Sequence, residues 1–258
     1  MTGDLTGLEA QVAAGERLEE LGPDYGIEED PLAHRVEGEW IRDVTLGAND
    51  GLVSILTLLA GVAAATTGPV VLLAGLAGLV AGAISMGVGA YVSAKAYRAF
   101  YRKELAREMR EMEEVPEIER EEIREIYRQR GFEGELLEVV VRTITSRPKV
   151  WLKVMMSEEL GLSAQFARPL GAGAVMFVSF LAGGVVPIVP FLFASGTPAL
   201  LTSFAVTATA LMVAGAVRTR FTGERGLLAG LELVAMATAG VGAAYLIGRL
   251  VGLSGIAG

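Results

Sequence analysis

The stretch of sequence that decides the fold covers residues 43–69 and reads DVTLGANDGLVSILTLLAGVAAATTGP. Residues 44–69 carry one charged side chain, Asp50, in an otherwise uncharged apolar run. A bilayer is crossed by about 20 consecutive apolar residues, and a carboxylate inside such a span costs about 2.5–3.5 kcal/mol on insertion scales. We therefore expect a membrane helix in which Asp50 has a partner or a function. Binding or movement of a cation is the function that fits a buried acid.

Four more apolar runs follow along the chain. The five candidate spans cover residues 44–66, 69–93, 169–191, 198–217 and 227–250. The TTGP sequence at 66–69 predicts a tight turn that pairs the first two spans as an antiparallel hairpin. Pro187 and Pro190 are expected to break the end of the third span. The predicted fold class is an all-α membrane protein with five transmembrane helices.

The composition separates two environments along the chain. The chain has 258 residues, of which 52% are hydrophobic, and residues 44–92 contain no charged side chain except Asp50. Residues 95–159, in contrast, hold fifteen acidic and fourteen basic side chains, so one part belongs in lipid and the other in water. The net charge of −8 argues against nucleic acid as a partner. The absence of cysteine excludes disulfides and thiolate metal sites.

The charged segment lies between the second and third spans, and Pro116 and Gly131 mark the bounds of one of its helices. Basic residues gather at one end of the spans, whereas the turns at the other end are uncharged, so the positive-inside rule places the N-terminus and the charged segment in the cytoplasm. Residues 1–39 have no signal-peptide pattern, and a prokaryotic plasma membrane is the expected location. The predicted organisation is a cytoplasmic N-terminal segment (1–38), two spans (39–95), a cytoplasmic helical domain (96–162) and three spans (163–258).

Candidate ligands for a cation lie in the first two spans. Glu39, Asp43 and Asp50 fall at i, i+4 and i+11 on one helix face, and Met86 is expected at the depth of Asp50. A carboxylate and a thioether together suit Fe(II) or a similar transition ion better than Mg or Ca. Alternatively, Glu39 and Asp43 interact with the helix dipole at the N-terminus, and Met86 packs in the core. Glu232 in the fifth span is a further acid, which can also snorkel to the surface.

The charged segment offers further candidate ligands as acid pairs at i, i+3 and a methionine–glutamate cluster. These are Glu108, Glu111, Glu119, Glu122, Met155, Met156 and Glu159. Acid pairs of this kind bind metals in helical bundles, but spacing alone favours ordinary surface acids. His34 is the only histidine, so no histidine-based zinc site or triad is available. Because phosphate-binding loops, dinucleotide fingerprints and nucleophile elbows are also lacking, we expect no enzyme, no ATP-driven pump and no organic cofactor.

Three blocks of sequence, in this order, resemble the vacuolar iron transporter family: HRVEGEWIRDVTLGANDGLVS, GLVAGAISMGVGAYVSAKA and MMSEELGL. The resemblance covers about residues 38–248. It implies five transmembrane helices with a cytoplasmic helical metal-binding domain between the second and third. It also implies a homodimer that exchanges Fe(II), and often Mn(II), for protons along a path at the dimer interface.

Carried over residue by residue, the resemblance assigns roles to all of the candidate ligands. It makes Glu39 an entrance acid, Asp43 and Asp50 the first-helix acids, and Met86 the pathway methionine. The cytoplasmic ligands are then Glu108, Glu111, Glu119, Glu122, Met155, Met156 and Glu159. These assignments rest on the resemblance, since spacing alone leaves the seven as surface residues.

One departure from the family pattern concerns Ala90, where many members have a glutamate. A membrane acid that would serve proton coupling is therefore missing. We expect a dimeric transporter that exports Fe(II), and also Mn(II), from the cytoplasm by proton antiport. The competing interpretation is a membrane-anchored metal-binding or sensor protein that does not translocate the ion, and the alanine keeps that interpretation open.

Overall fold

The structure is a computed structural model that describes residues 38–162, 168–222 and 226–254. The chain divides into two compact units. The charged unit has its described part in Ala94–Phe166, and the membrane unit comprises Glu37–Ser93 and Ala167–Gly258. Throughout the described ranges the regular structure is helical, without a strand. The predicted all-α class is confirmed.

The helices are numbered here in chain order. They are α1 (Gly38–Ala65), α2 (Pro69–Glu114), α3 (Pro116–Gln129), α4 (Gly134–Thr145), α5 (Pro148–Val154) with a π turn directly after it (Met155–Glu159), α6 (Pro169–Phe193), α7 (Gly196–Thr222) and α8 (Gly226–Leu253). Five of them, α1, α2, α6, α7 and α8, are long and apolar enough to cross a membrane. The prediction of five spans is therefore confirmed.

The turn between α1 and α2 and the length of α2 follow from local sequence. Gly68 has φ +85°, a left-handed conformation that glycine adopts without steric cost, and Pro69 then begins α2. From there α2 runs for 46 residues, through its apolar half and its charged half, because no proline follows Pro69 before Pro116. The next helix boundaries are marked by Pro116, which begins α3, and by Gly131 with φ +89°, which follows its end.

The expectation that Pro187 and Pro190 break the third span is wrong, since α6 continues through both to Phe193. A proline removes the amide that would donate to the carbonyl four residues earlier. In a membrane bundle, however, neighbouring helices can supply hydrogen bonds to such a helix. The carbonyl groups that lose their donors here are those of Gly183 and Val186. A separate contact ties this part of α6 to α7, since the Ser203 hydroxyl of α7 donates to the carbonyl oxygen of Pro187 at 2.6 Å.

Within the membrane unit, α1 meets α6 and α8 at glycines. A Cβ atom added to Gly51 would collide with the carbonyl oxygen of Phe180 in α6, and one added to Gly248 in α8 would collide with the carbonyl oxygen of Gly61. Small residues allow this close approach of backbones, which is a common mode of association between membrane helices. The helix that carries Asp50 is therefore held directly against two other spans.

The charged unit is built around one buried apolar cluster, to which the second half of α2, the helices α3, α4 and α5 and the π turn contribute. Its buried members are Tyr101, Leu105, Met109, Met112, Ile123, Leu137, Val141, Ile144, Trp151, Leu152, Met155 and Met156. Burial of this apolar surface stabilises the unit. It also fixes which faces of α2 and α3 point inward, and each of these inward faces carries a glutamate.

Candidate metal centre

Three carboxylates from distant parts of the chain meet in the charged unit. Glu108 lies on α2, Glu119 on α3 and Glu159 at the end of the π turn. One carboxylate oxygen of each lies within 4.8 Å of the other two. Glu108 and Glu119 are only 1% and 3% exposed, whereas Glu159 is exposed. The fold therefore brings three acids that are far apart in the sequence into one group, in which Glu159 faces solvent.

The local structure explains why Glu108 and Glu119 point inward. Glu108 adjoins the buried Met109 and lies one turn before the buried Met112 on α2. Glu119 lies one turn before Ile123, and these two are the buried residues of α3. Residues four apart share a helix face, so both glutamates are carried into the interior by the apolar residues beside them.

The π turn positions the third acid. The Leu160 amide donates to the carbonyl oxygen of Met155 at 3.3 Å, and the Leu162 amide donates to that of Met156 at 2.8 Å. Such turns are rare and occur often at functional sites. Met155 and Met156 are 0% and 2% exposed, while Glu159 at the end of the same turn joins the carboxylate group.

Two further predicted acids, Glu111 and Glu122, interact electrostatically with this group. Burial raises the pKa of Glu108 to about 7, with the charge of Glu159 as the next cause. Burial also raises the pKa of Glu119 to about 7, and there the charge of Glu122 follows. The pKa of Glu159 is raised by burial and then by Glu122, and Glu111 contributes in all three cases. The structure thus brings three of the five predicted glutamates within 4.8 Å of one another, and the other two interact electrostatically with them.

The two buried carboxylates are incompletely satisfied. The Oε2 atoms of Glu108 and Glu119 are buried and have no hydrogen-bond partner. A buried polar atom without a partner is destabilising by about 1–3 kcal/mol, and more when it is charged, so it calls for a ligand such as an ion. Oxygens on opposite sides of an ion that binds them at about 2.1–2.4 Å are about 4.2–4.8 Å apart. The spacing of the three carboxylates fits a divalent cation.

Other acids of the same unit behave as surface residues. Glu117, Glu121 and Glu125 on α3 form ion pairs with Arg120, Arg124 and Arg128 at i, i+3. Arg124 also binds Glu138 of α4 at 2.8 Å. Exposed pairs of this type contribute little to stability. Buried Glu119 and these exposed acids occur on the same helix, α3. The helix face on which an acid lies therefore decides whether it points into the unit or into solvent.

The predicted sulfur ligands Met155 and Met156 belong to the apolar cluster of the charged unit, together with Met109 and Met112. Thioethers are soft and adaptable and fill irregular core space well. Packing is the role that this burial supports directly, and the assignment of Met155 and Met156 as metal ligands stays a prediction.

In the membrane unit, the predicted ligands lie on α1 and α2. Asp43 is 6% exposed, and its Oδ1 lies 3.3 Å from Nη2 of Arg42. Asp50 is half-buried and accepts a hydrogen bond of 2.8 Å from the Ser54 hydroxyl. Glu39 lies in the first turn of α1, but its side chain falls outside the described part of the structure.

Met86 packs half-buried against the apolar cluster between α1, α2 and α6. A Cβ on Gly75 of α2 would lie 2.8 Å from Leu59, and one on Gly78 would lie 3.6 Å from Ile55, so α1 and α2 are antiparallel neighbours as the sequence predicts. In this register Asp50 on α1 lies opposite a residue of α2 that is about two positions before Met86. Two positions correspond to about 3 Å along the helix axis. The prediction that the two share one depth is compatible with this register.

Comparisons with known proteins identify the family. Residues 41–249 match the family model described as the VIT family. The chain belongs to the VIT family. It is 37% identical over 228 residues to "Vacuolar iron transporter 2" of Oryza sativa subsp. japonica, a match that covers 87% of this chain and 93% of the relative.

Two further relatives agree. "Vacuolar iron transporter 1" of Tulipa gesneriana is 36% identical over 228 residues, which cover 87% of this chain and 92% of that protein. The protein of the same name from Arabidopsis thaliana is 42% identical over 130 residues, which cover 50% of this chain and 52% of the relative. The predicted family is confirmed. VIT family members are transporters and not enzymes, in agreement with the expectation from the sequence.

Sequence patterns alone do not single out two features of this VIT family chain. Arg107 on α2 lies 2.9 Å from Oε1 of Glu108 and 3.1 Å from Glu104, and its position three residues after Glu104 and four before Glu111 is the signal that points to it. Gly51, which follows Asp50 in the NDG sequence, marks a contact between spans.

Proposed function

We propose that this chain is a divalent transition-metal transporter that moves Fe(II), and also Mn(II), out of the cytoplasm in exchange for protons. The observation that carries the proposal is the carboxylate group of Glu108, Glu119 and Glu159, with oxygens within 4.8 Å of one another and two buried oxygens without partners. Metal transport follows from the family and from the five apolar helices.

The choice of ion follows from donor chemistry. A group of carboxylates accepts Mn(II) and Fe(II) as well as Mg and Ca, because oxygen ligands suit all of them. In the membrane, Asp50 and Met86 would offer an oxygen and a sulfur at nearly one depth, which favours the softer transition ions. Iron is also the ion in the names of the relatives. Fe(II) is therefore the principal cargo that we propose.

In this proposal the two units have different tasks. The five glutamates of the charged unit collect the ion, with Met155 and Met156 as additional donors, and Glu39, Asp43, Asp50 and Met86 conduct it. Metal ligands must lose their protons to bind, so the ion and protons compete for the same carboxylates. This competition supplies the physical basis for exchange of metal against protons.

Charge supports the proposed direction of transport, and the exposure of Asp50 supports the proposed assembly. Arg42 precedes the first span, and Lys95 and Arg98 follow the second, so the positive-inside rule favours a cytoplasmic charged unit that loads from the cytoplasm. Asp50 is half-buried within one chain, and a membrane acid needs cover from lipid. A second copy of the chain supplies that cover in a homodimer, in a prokaryotic plasma membrane.

A membrane-anchored metal sensor is the second candidate, and Ala90 favours it. Without an acid at this position of α2, the membrane unit has one carboxylate fewer for proton exchange. A sensor would bind the ion in the charged unit, and the ion would not cross the membrane through the spans.

Uptake into proteoliposomes separates these candidates. Liposomes with the full chain, an internal metal dye and an internal pH dye are exposed to external Fe(II) or Mn(II). Antiport predicts metal entry together with a rise of the internal pH as protons leave. Binding to the protein without entry would favour the sensor, and entry without a pH response would retain transport but remove proton exchange.

A further inference from the structure

Arg107 is a positive charge built into the carboxylate group of the charged unit. Its Nη2 atom lies 2.9 Å from Oε1 of Glu108. Its Nε atom lies 3.1 Å from Glu104 and 3.9 Å from Glu111. It also interacts electrostatically with Glu159. The guanidinium therefore contacts Glu108 and Glu111, two of the carboxylates that are proposed to hold the ion.

The other arginine pairs described in this unit differ from this one. Arg120, Arg124, Arg128 and Arg130 pair with acids outside the group of five, namely Glu117, Glu121, Glu138, Glu125 and Glu158. Arg107 lies on the same helix as Glu108 and is 41% exposed, whereas the Glu108 side chain is 1% exposed. The arginine thus reaches a buried carboxylate from the solvent side.

We propose that Arg107 is an internal counter-cation that competes with the metal ion for Glu108 and Glu111 and so sets the affinity of the centre. The inference rests on the proposed function, since it needs the glutamates to bind metal. Without the ion, the guanidinium offsets the repulsion between carboxylates. With the ion on Oε2 of Glu108, which has no hydrogen-bond partner in the described part of the chain, the guanidinium on Oε1 draws on the negative charge of the same carboxylate, and its own charge repels the divalent ion.

This role has a consequence for transport. A centre of five glutamates without a counter-cation would hold a divalent ion tightly and release it slowly, since affinity rises with the number of charged ligands. A tethered guanidinium offsets the negative charge that remains when the ion departs, and so favours release. Arg107 is therefore an affinity-determining residue, and a purely structural ion pair would have the opposite effect when it is removed.

The test measures Mn(II) binding to the full chain in detergent at pH 8 by calorimetry, and Mn(II) release by rapid mixing with a chelator. Arg107→Gln should bind about tenfold more tightly than the wild type and release Mn(II) more slowly. Arg107→Lys keeps the charge but loses the planar fork, and should stay within about threefold of the wild type. Arg128→Gln is the matched control, because it removes one positive charge from an exposed pair elsewhere in the unit, and should not tighten binding.

The outcomes separate this inference from the proposed function. If Arg107→Gln and Arg107→Lys both bind as the wild type does, or more weakly, while Glu119→Gln loses binding, the counter-cation role is wrong and the metal centre stands. If wild type and Glu119→Gln show the same binding, the glutamates are not the metal site and both proposals are overturned. The fluorescence of the buried Trp151 in a Trp40→Phe background checks that each variant is folded.

Discussion

The two units place their candidate metal ligands in different ways. In the charged unit a single chain supplies three carboxylates with oxygens within 4.8 Å. In the membrane unit Asp50 accepts a hydrogen bond from Ser54 and stays half-buried on α1. Three candidate ligands of the charged unit thus meet within one chain. The acid of the span, in contrast, has its described hydrogen bond within α1.

The difference follows from the solvent of each unit. Next to water, carboxylates can be gathered because arginines and protons offset their repulsion, as Arg107 and the raised pKa values of Glu108 and Glu119 indicate. In lipid, each additional charge costs several kcal/mol, so a span tolerates few acids. A metal site next to water can therefore contain many carboxylates, whereas an ion path through the membrane can contain only a few.

The largest effect is expected for Asp50→Asn. It removes the charge of the span while it keeps the size and the hydrogen bond from Ser54. Fe(II) flux into proteoliposomes should fall by at least about 100-fold, because a neutral amide is a poor ligand for a hard cation. Mn(II) binding by the charged unit should persist.

Glu232→Gln is the control for this variant. Glu232 is also an acid of a candidate span, but it is exposed on α8, and the sequence allows it to reach the surface. Its flux should stay within about twofold of the wild type. Near-normal flux in Asp50→Asn would remove Asp50 from the pathway and would weaken the contrast between the two units.

The second largest effect is expected in the charged unit, for Glu108→Gln combined with Glu119→Gln. Loss of two charged ligands should weaken Mn(II) binding by about 100-fold in calorimetry. The matched control is Glu117→Gln combined with Glu121→Gln, which neutralises two acids in exposed pairs with arginines. Equal losses in both double variants would mean that net charge, and not a defined centre, attracts the ion.

Much of the membrane unit could be predicted from sequence because its signals are local. An apolar run of sufficient length specifies a span, and Gly68 with Pro69 specifies the turn between the first two. The continuation of α6 through Pro187 could not be predicted. The surroundings of a helix in a membrane bundle decide whether it continues through a proline, and no local sequence pattern reports them.

The charged unit was harder to predict, since its centre joins residues far apart in the chain. Glu108 and Glu159 meet only after α3, α4 and α5 have packed around the apolar cluster. Their spacing alone predicts ordinary surface acids. Only the resemblance to a family distinguishes them, as candidate metal ligands, from the surface acids of α3. Neither approach found Arg107, because an ion pair with an acid of the same helix is an ordinary pattern.

A third prediction concerns the packing that holds the Asp50 helix. Gly51→Ala places a methyl group against the backbone of α6, and overpacking of this kind typically costs about 1–3 kcal/mol. The melting temperature of the full chain in detergent should fall, and flux should fall with it. Gly89→Ala is the control, because a Cβ there meets nothing within 4 Å. An equally stable Gly51→Ala would show that the contact between α1 and α6 can relax.

A fourth prediction follows from the raised pKa values of the charged unit. Burial holds the pKa of Glu108 and Glu119 at about 7, above the ordinary 4.5, so between these values the folded state binds more protons than the unfolded state. Stability of the metal-free chain should therefore fall as the pH rises from about 5 to 8. The Trp151 signal in a Trp40→Phe chain should report an unfolding temperature that is several degrees lower at pH 8.

Metal should reverse this dependence, because deprotonated carboxylates are the form that binds it. With saturating Mn(II), the same signal should report a unit that is more stable at pH 8 than at pH 5. The double variant Glu108→Gln, Glu119→Gln should lose most of both dependences. A pH dependence that survives in that variant would assign the effect to other groups.

The smallest effect is expected for Ala90→Glu, which restores an acid to the sparse membrane unit. Ala90 is half-buried on α2, one turn after Met86, so a carboxylate there joins the helix face of Met86, which we propose as a pathway ligand. An additional acid that exchanges protons should make Fe(II) flux into proteoliposomes respond about two to three times more steeply to an imposed pH gradient. Ala90→Gln has nearly the same size without the charge and should respond as the wild type does. Flux that ignores the pH gradient in all three proteins would overturn proton antiport, and the membrane unit would then be a channel or a support for metal binding.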